Sequence, residues 1–171
     1  MAATLPVKIS FSLPDGWQAA PPEEVGTPNV AFVALHPASI DNGFTANITI
    51  SGEMRNDSAT MSQIADEAVP RLEQAGTVRV LKKAEIGTPD IPGLTDSPGI
   101  VQNLVLSTTL RGEPVDLCQS QVYLGMEDVR NPAQRAVIEI VLTAKPNQLD
   151  ELIGDYKEFL RTVEPAGETP A

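Results

Sequence analysis

One histidine, one cysteine and a few neighbouring acids are the residues of this chain whose types could do chemistry. Any Ser-His-Asp or Cys-His arrangement would have to use His36. That residue ends an apolar run, VAFVAL, and precedes Pro37, which is the setting of a structural or surface histidine. Cys118 falls at an apolar position of an alternating run, where a small core residue belongs. A lone cysteine excludes an internal disulfide and a Cys-based metal site. The sequence has no histidine pair at metal spacing and no phosphate-binding Gly loop. The acid pairs Glu23-Glu24 and Glu127-Asp128 sit in turn-like stretches beside Pro or Gly, where adjacent carboxylates are solvated. Trp17, following Pro14-Asp15-Gly16, reads as a core anchor. The Asn-x-Ser/Thr sequences at Asn47 and Asn56 read as chance matches to a glycosylation acceptor, since no secretion signal accompanies them. The expectation is a non-enzymatic protein with no cofactor and no metal.

The bulk numbers narrow the partners. A chain of 171 residues, 42% hydrophobic, is long enough for one proper core. We expect a single domain over 1–171, with its core at 7–163 and a flexible tail at 164–171. A net charge of −11 argues against nucleic acid and anionic membrane surfaces. It serves solubility, or a basic partner. The opening MAATLPVKISFSLPDGW has no basic start and no continuous apolar run, so it reads as neither a signal peptide nor a membrane span. The location expected on that basis is the cytoplasm.

The elements that must position any site follow from periodicity. Val7–Leu13 alternates as a short strand, 30–35 is a continuous apolar strand, and 44–51 alternates again. Asp57 or Ser58 is placed to cap a helix running to about Gln74, with Pro70 expected to kink or shorten it and Gly76 to end it. Strands are expected at 78–86, 100–111, 115–124 and 134–144, with a proline-rich loop at 88–99 and turns at 112–114 and 126–133. The chain then turns at Lys145-Pro146-Asn147 into an amphipathic helix. Leu149, Leu152, Ile153, Tyr156, Phe159, Leu160 and Val163 form its apolar stripe, and Asn147 is its expected cap. The order β-β-β-α-β-β-β-β-α predicts an α+β fold, a mostly antiparallel sheet of about six or seven strands packed with two main helices.

Side-chain alternation sorts the strands into two sets. The first is apolar: Ala46, Ile48 and Ile50; Leu104, Leu106 and Leu110; Cys118, Val122 and Leu124; Ala136, Ile138, Ile140 and Leu142. The second mixes amides and hydroxyls with aliphatics, and holds Asn47, Asn103, Gln119, Gln121 and Tyr123. Strand register decides whether each set shares one face. Two readings of the polar set stand: the wetter side of an antiparallel sheet, or a concave surface binding a polypeptide. In the second, amides such as Asn103, Gln119 and Gln121 pair with a partner's backbone. A pocket between the sheet and the 88–99 loop, serving a small molecule or an enzymatic reaction, and a structural homo-oligomer are the alternatives.

The opening FSLPDGW, a hydrophobic strand, FTANITI, one helix, a strand meander ending VIEIVLTA and a final amphipathic helix resemble the LpqN-type bacterial lipoproteins. More broadly they are similar to the PsbP/Mog-like α/β/α sandwich group, which includes DcrB-like proteins and chaperones of Rhs-type effectors. The resemblance covers about residues 7 to 163. It implies non-enzymatic work: binding a protein partner, assisting assembly or chaperoning secretion. LpqN-type lipoproteins carry a signal and a lipidated cysteine, and the opening of this sequence has neither.

Overall fold

Alternation and hairpin turns build most of the molecule, and seven of its strands join one antiparallel sheet. The computed structural model describes residues 9–21, 30–40, 44–57, 59–86, 99–110, 112–128 and 131–165. The elements in order are β1 (Ile9–Ser10), β2 (Gln18–Ala20), β3 (Phe32–Leu35), β4 (Asn47–Arg55), α1 (Met61–Glu73), β5 (Thr77–Ile86), β6 (Gly99–Leu110), β7 (Glu113–Asp128), β8 (Asn131–Ala144), α2 (Pro146–Thr162) and β9 (Glu164–Pro165). The sheet runs β2-β3-β4-β8-β7-β6-β5. This is the α+β fold expected, with the two helices in the expected order. Most of the 88–99 loop, the acids Glu23 and Glu24, and the 41–43 turn lie outside the described residues.

Each helix has a local reason to start where it does. Thr60 and Gln63 form a reciprocal box at the head of α1. Gln63 N donates to Thr60 Oγ1 at 3.0 Å, and Thr60 N donates to Gln63 Oε1 at 2.8 Å. The cap is therefore Thr60, not Asp57 or Ser58. The helix runs through Pro70 and ends at Glu73. At the head of α2 the cap is Lys145, not Asn147. Pro146 occupies the first turn, where its missing N–H does no harm, and Gln148 Oε1 accepts from Lys145 N at 2.7 Å.

The helices lie on opposite faces and are offset across the sheet, sharing only β7 among their main strand contacts. The stripe of α2 packs Leu152, Tyr156 and Phe159 onto Ile48, Ile50, Val122, Leu124, Ile138, Ile140 and Leu142. Burying side chains of this kind stabilises by roughly 1.5–3 kcal/mol each. Trp17 joins the same core and donates from Nε1 to Asp155 Oδ2 at 3.0 Å. On the other face α1 lies over β5, β6 and β7. There Met61, Ile64, Ala65 and Ala68 meet Ile100, Tyr123 and Val137.

Several boundaries differ from the sequence-based expectation. Of the run expected at 7–13, residues 7 and 8 lie outside the described residues, and within 9–13 only Ile9 and Ser10 are strand. These two pair with Pro165 and Glu164, apart from the main sheet. Phe11 instead packs edge-on against Phe32 and Phe159, with ring centroids 4.8 and 5.3 Å away. The first two residues expected in the tail, Glu164 and Pro165, are thus paired, and 166–171 lie outside the described residues. The edge strand β2 carries no long alternation and was not legible. The turn expected at 126–133 is tighter, since β7 reaches Asp128 and β8 begins at Asn131.

Candidate functional site

Register places the polar side chains, and it separates one candidate from the rest. Gln119, Gln121 and Tyr123 pair with Thr143, Val141 and Glu139, and Asn47 pairs with Thr143 on the far side of β8. These residues share the face on which α1 lies. Strand β6 meets β7 with Gln102 opposite Gln121 and Asn103 opposite Ser120. Asn103 therefore lies on the α2 face, beside Cys118, Ser120, Leu149 and Ile153. Leu104 and Leu106 move to the α1 face. The expected sorting fails at β6 because the register sets Gln102 opposite Gln121, which puts the buried set Ile100, Gln102, Leu104 and Leu106 under α1 and the half-buried set Val101, Asn103 and Val105 on the α2 face.

Because α1 sits over β5–β7, the neighbouring half of that face, on β4 and β8, is left as the floor of a cleft. Two adjoining hollows of about 490 and 320 Å³ make it up. The first is lined by residues including Ser51, Glu53, Glu67, Tyr123 and Val137, the second by Asn47, Thr49, Gln119, Gln121, Val141 and Thr143. Arg71 and Glu139 line both and mark where they join. Tyr123 and Gln121 are about 1% exposed, so they form the base of the cleft and not an open surface. Asn47, Thr49 and Gln119 are half-buried and reachable from it.

A chain of carboxamides runs under α1 into this cleft. Gln102 Nε2 donates to Ala65 O at 3.0 Å and to Gln121 Oε1 at 2.9 Å. Gln121 Nε2 donates to Gln119 Oε1 at 2.8 Å, and Gln119 Nε2 to Thr143 Oγ1 at 3.2 Å. Tyr123 OH also donates to Gln121 Oε1, at 3.1 Å. Gln102 Nε2 anchors the chain on the helix carbonyl of Ala65, and from Gln102 each carboxamide donates to the next toward the cleft, so the end at Gln119 and Thr143 is fixed in orientation.

Electrostatics distinguish the other half. Burial pushes the Glu139 carboxyl above the usual range, with Arg71 and a hydrogen bond to Tyr123 working against the shift and Glu53 adding to it. Arg71 Nη2 stands 3.8 Å from Glu139 Oε2, beyond hydrogen-bond length, on a side chain 64% exposed. Burial also raises the Tyr123 hydroxyl well above its ordinary value. At the rim, Arg55 is gripped by Glu67 at 2.9 Å through both nitrogens, by Asp57 at 2.7 Å and by Glu53 at 2.9 Å. Those bonds, led by the Glu67 pair, hold its guanidinium in the charged form and keep the Glu67 carboxyl low.

No family model and no curated protein matches the chain by sequence. Comparison of structures does find similar folds. LpqN, involved in cell envelope biogenesis of Mycobacterium tuberculosis, superposes with a TM-score of 0.62 at 11% identity, over 94% of this chain and 86% of that one. The cyanobacterial PsbP (CyanoP) from Synechocystis sp. PCC 6803 superposes with a TM-score of 0.61 at 11% identity, over 92% and 86%. The fold is LpqN/PsbP-like. At this identity the likeness carries the architecture alone.

Within the LpqN/PsbP-like sheet, four of the five candidates come together: Asn47, Gln119, Gln121 and Tyr123. Sequence reasoning missed Gln102, Glu139 as a cleft residue, Thr143 and Arg71. A polar residue inside an apolar strand, as Gln102 is in IVQNLVL, was a usable signal, because a buried amide needs a partner amide or carbonyl. Nothing in the local sequence of α1 marked Arg71. Of the two groups with catalytic potential, His36 packs against Trp17 with ring centroids 5.0 Å apart and planes tilted by 53°, and burial pushes the Cys118 thiol up, away from a reactive thiolate. Among the described residues no cluster of three or more His, Cys, Asp or Glu is placed to hold a metal ion.

Proposed function

We propose that this protein is a non-enzymatic binding module that holds an extended stretch of a partner polypeptide in the cleft between α1 and strands β4 and β8. The observation that carries the reading is the shape and lining of the cleft. Its floor follows β4 from Asn47 to Glu53 and β8 from Val137 to Thr143. At roughly 3.3 Å per residue that is a groove about 20 Å long, the reach of an extended segment and not of a compact metabolite. The floor offers Asn47, Thr49, Ser51, Gln119 and Thr143, a row of donors and acceptors that suits backbone amides. The envelope-biogenesis role stated for LpqN is in keeping with assembly work of this kind. The alternative pocket beside the 88–99 loop involves residues outside those described.

Site-specific photo-cross-linking tests the proposal. A benzophenone amino acid placed at Thr49, on the cleft floor, is compared with one at Lys157, on the exposed side of α2. The expected result is a cross-link from position 49 to one contiguous segment of a partner, suppressed by Asn47→Lys. Identical products from both positions, or none from position 49, would overturn it.

A further inference from the structure

We infer that the cleft selects a segment carrying a lysine or arginine, whose cationic head docks on the Glu139 carboxylate. The inference rests on the polypeptide-binding reading and adds the chemistry of the partner. Glu139 stands on the β8 floor where the two hollows join, with its side chain 22% exposed. A carboxylate this far out of water needs a close cation or several hydrogen bonds. Among the described residues it has neither in full. Arg71, reaching down from α1, stops at 3.8 Å and keeps most of its side chain in solvent.

Among the described residues the other charges around the cleft do not fill the gap. Arg55 of β4 is the nearby guanidinium, and it is committed to Glu53, Asp57 and Glu67. Counting those four groups with Arg71 and Glu139 gives four carboxylates against two guanidiniums. Tyr123 supplies a neutral hydroxyl. The local field therefore favours an incoming cation, and the chain's net charge of −11 draws basic segments toward it from a distance. Arg71 occupies the approach and competes with that cation, so the two residues have opposite roles: Glu139 attracts and Arg71 excludes weak competitors.

The test is selection of a phage-displayed library of random peptides on the full chain, followed by calorimetry with the enriched peptides. Enriched sequences should share one Lys or Arg position. Glu139→Gln should weaken their binding about tenfold, and Arg71→Ala should strengthen it. Replacing the shared basic residue by norleucine should cost the same factor in the wild type and little more in Glu139→Gln, the signature of a direct pair. Peptides that protect the cleft amides from hydrogen exchange but share no basic position would overturn the inference and leave the polypeptide-binding reading standing. Enrichment of no peptide would overturn both. Glu139→Gln removes a poorly compensated buried charge, so loss of fold does not confuse the result.

Discussion

Gln102 Nε2 lies 2.9 Å from Gln121 Oε1 across strands β6 and β7, and the same nitrogen donates to the backbone carbonyl of Ala65 in α1 at 3.0 Å. A carbonyl can only accept, so the Gln102 amide cannot be turned over. Its orientation then fixes that of Gln121, and Gln121 fixes Gln119. Backbone geometry in α1 thereby sets which way side chains point in the cleft.

Gln121→Leu should destabilise the protein by about 2 kcal/mol, because it strands buried partners on both sides of the chain. The double variant Gln102→Leu/Gln121→Leu should lose less than the sum of the two single changes, since each single change already breaks the Gln102–Gln121 bond and leaves the other amide without it. Urea denaturation of the four proteins checks this, and strictly additive losses would contradict the coupled chain.

Tyr156 is buried in α2 and shares its one hydroxyl hydrogen between Ile140 O at 2.7 Å and Ser120 O at 3.0 Å. Tyr156→Phe keeps the ring and removes the donor. The expected loss is about 1–3 kcal/mol in denaturant midpoint analysis, with the cleft on the opposite face unaffected in its peptide binding.

Gly76 follows α1 where the chain turns into β5. A Cβ there would stand 2.1 Å from Ser107 O and 2.9 Å from Ser107 C. Those are backbone atoms of β6 and cannot swing aside. Thr108 Oγ1 holds the same turn by donating to Ala75 O at 2.6 Å. Gly76→Ala should cost about 1–3 kcal/mol through overpacking, read as a fall in melting temperature.

Two carboxylates of the cleft should give opposite pH dependences. Hydrogen bonding from Arg55 holds Glu67 below its ordinary range. Its contribution is present above the unfolded pKa and lost as pH falls through the lower folded value. Burial raises Glu139. It binds its proton more tightly folded than unfolded, so stability is greatest below the unfolded pKa and declines as pH rises through the folded one. In melting curves against pH, Glu139→Gln should therefore gain on the wild type as pH rises from acid to neutral. Glu67→Gln should lose ground over the acid range. With Glu67 half exposed at the rim, the Arg55–Glu67 pair should account for no more than about 1 kcal/mol.

Local pattern alone determined the helices and the core strands. The stripe Leu152, Tyr156, Phe159 has one periodicity and one apolar face, and alternation at 136–144 has another, so neither needed a partner to be read. The resemblance carried by the FSLPDGW opening and the order of elements agreed with the LpqN/PsbP-like fold. Short pairings such as β2 with β3 and β1 with β9 escaped, because two or three residues hold no period and owe their strand form to the neighbour.

The site divided in the same way. The sequence showed that Asn47, Gln119, Gln121 and Tyr123 were polar groups on strands, since side chains of one strand alternate whatever lies beside it. It could not place Asn103 against them. A shift of one residue between β6 and β7 exchanges every side chain of β6 between faces. The observed register, Gln102 opposite Gln121, put Gln102 into the amide chain and Asn103 on the far side. Tertiary structure likewise decided that α1 leaves much of β4 and β8 uncovered, and that Arg71 from that helix approaches Glu139 from the sheet. Contacts between elements distant in sequence are set by how much sheet each helix can cover, and that depends on the whole chain folded together.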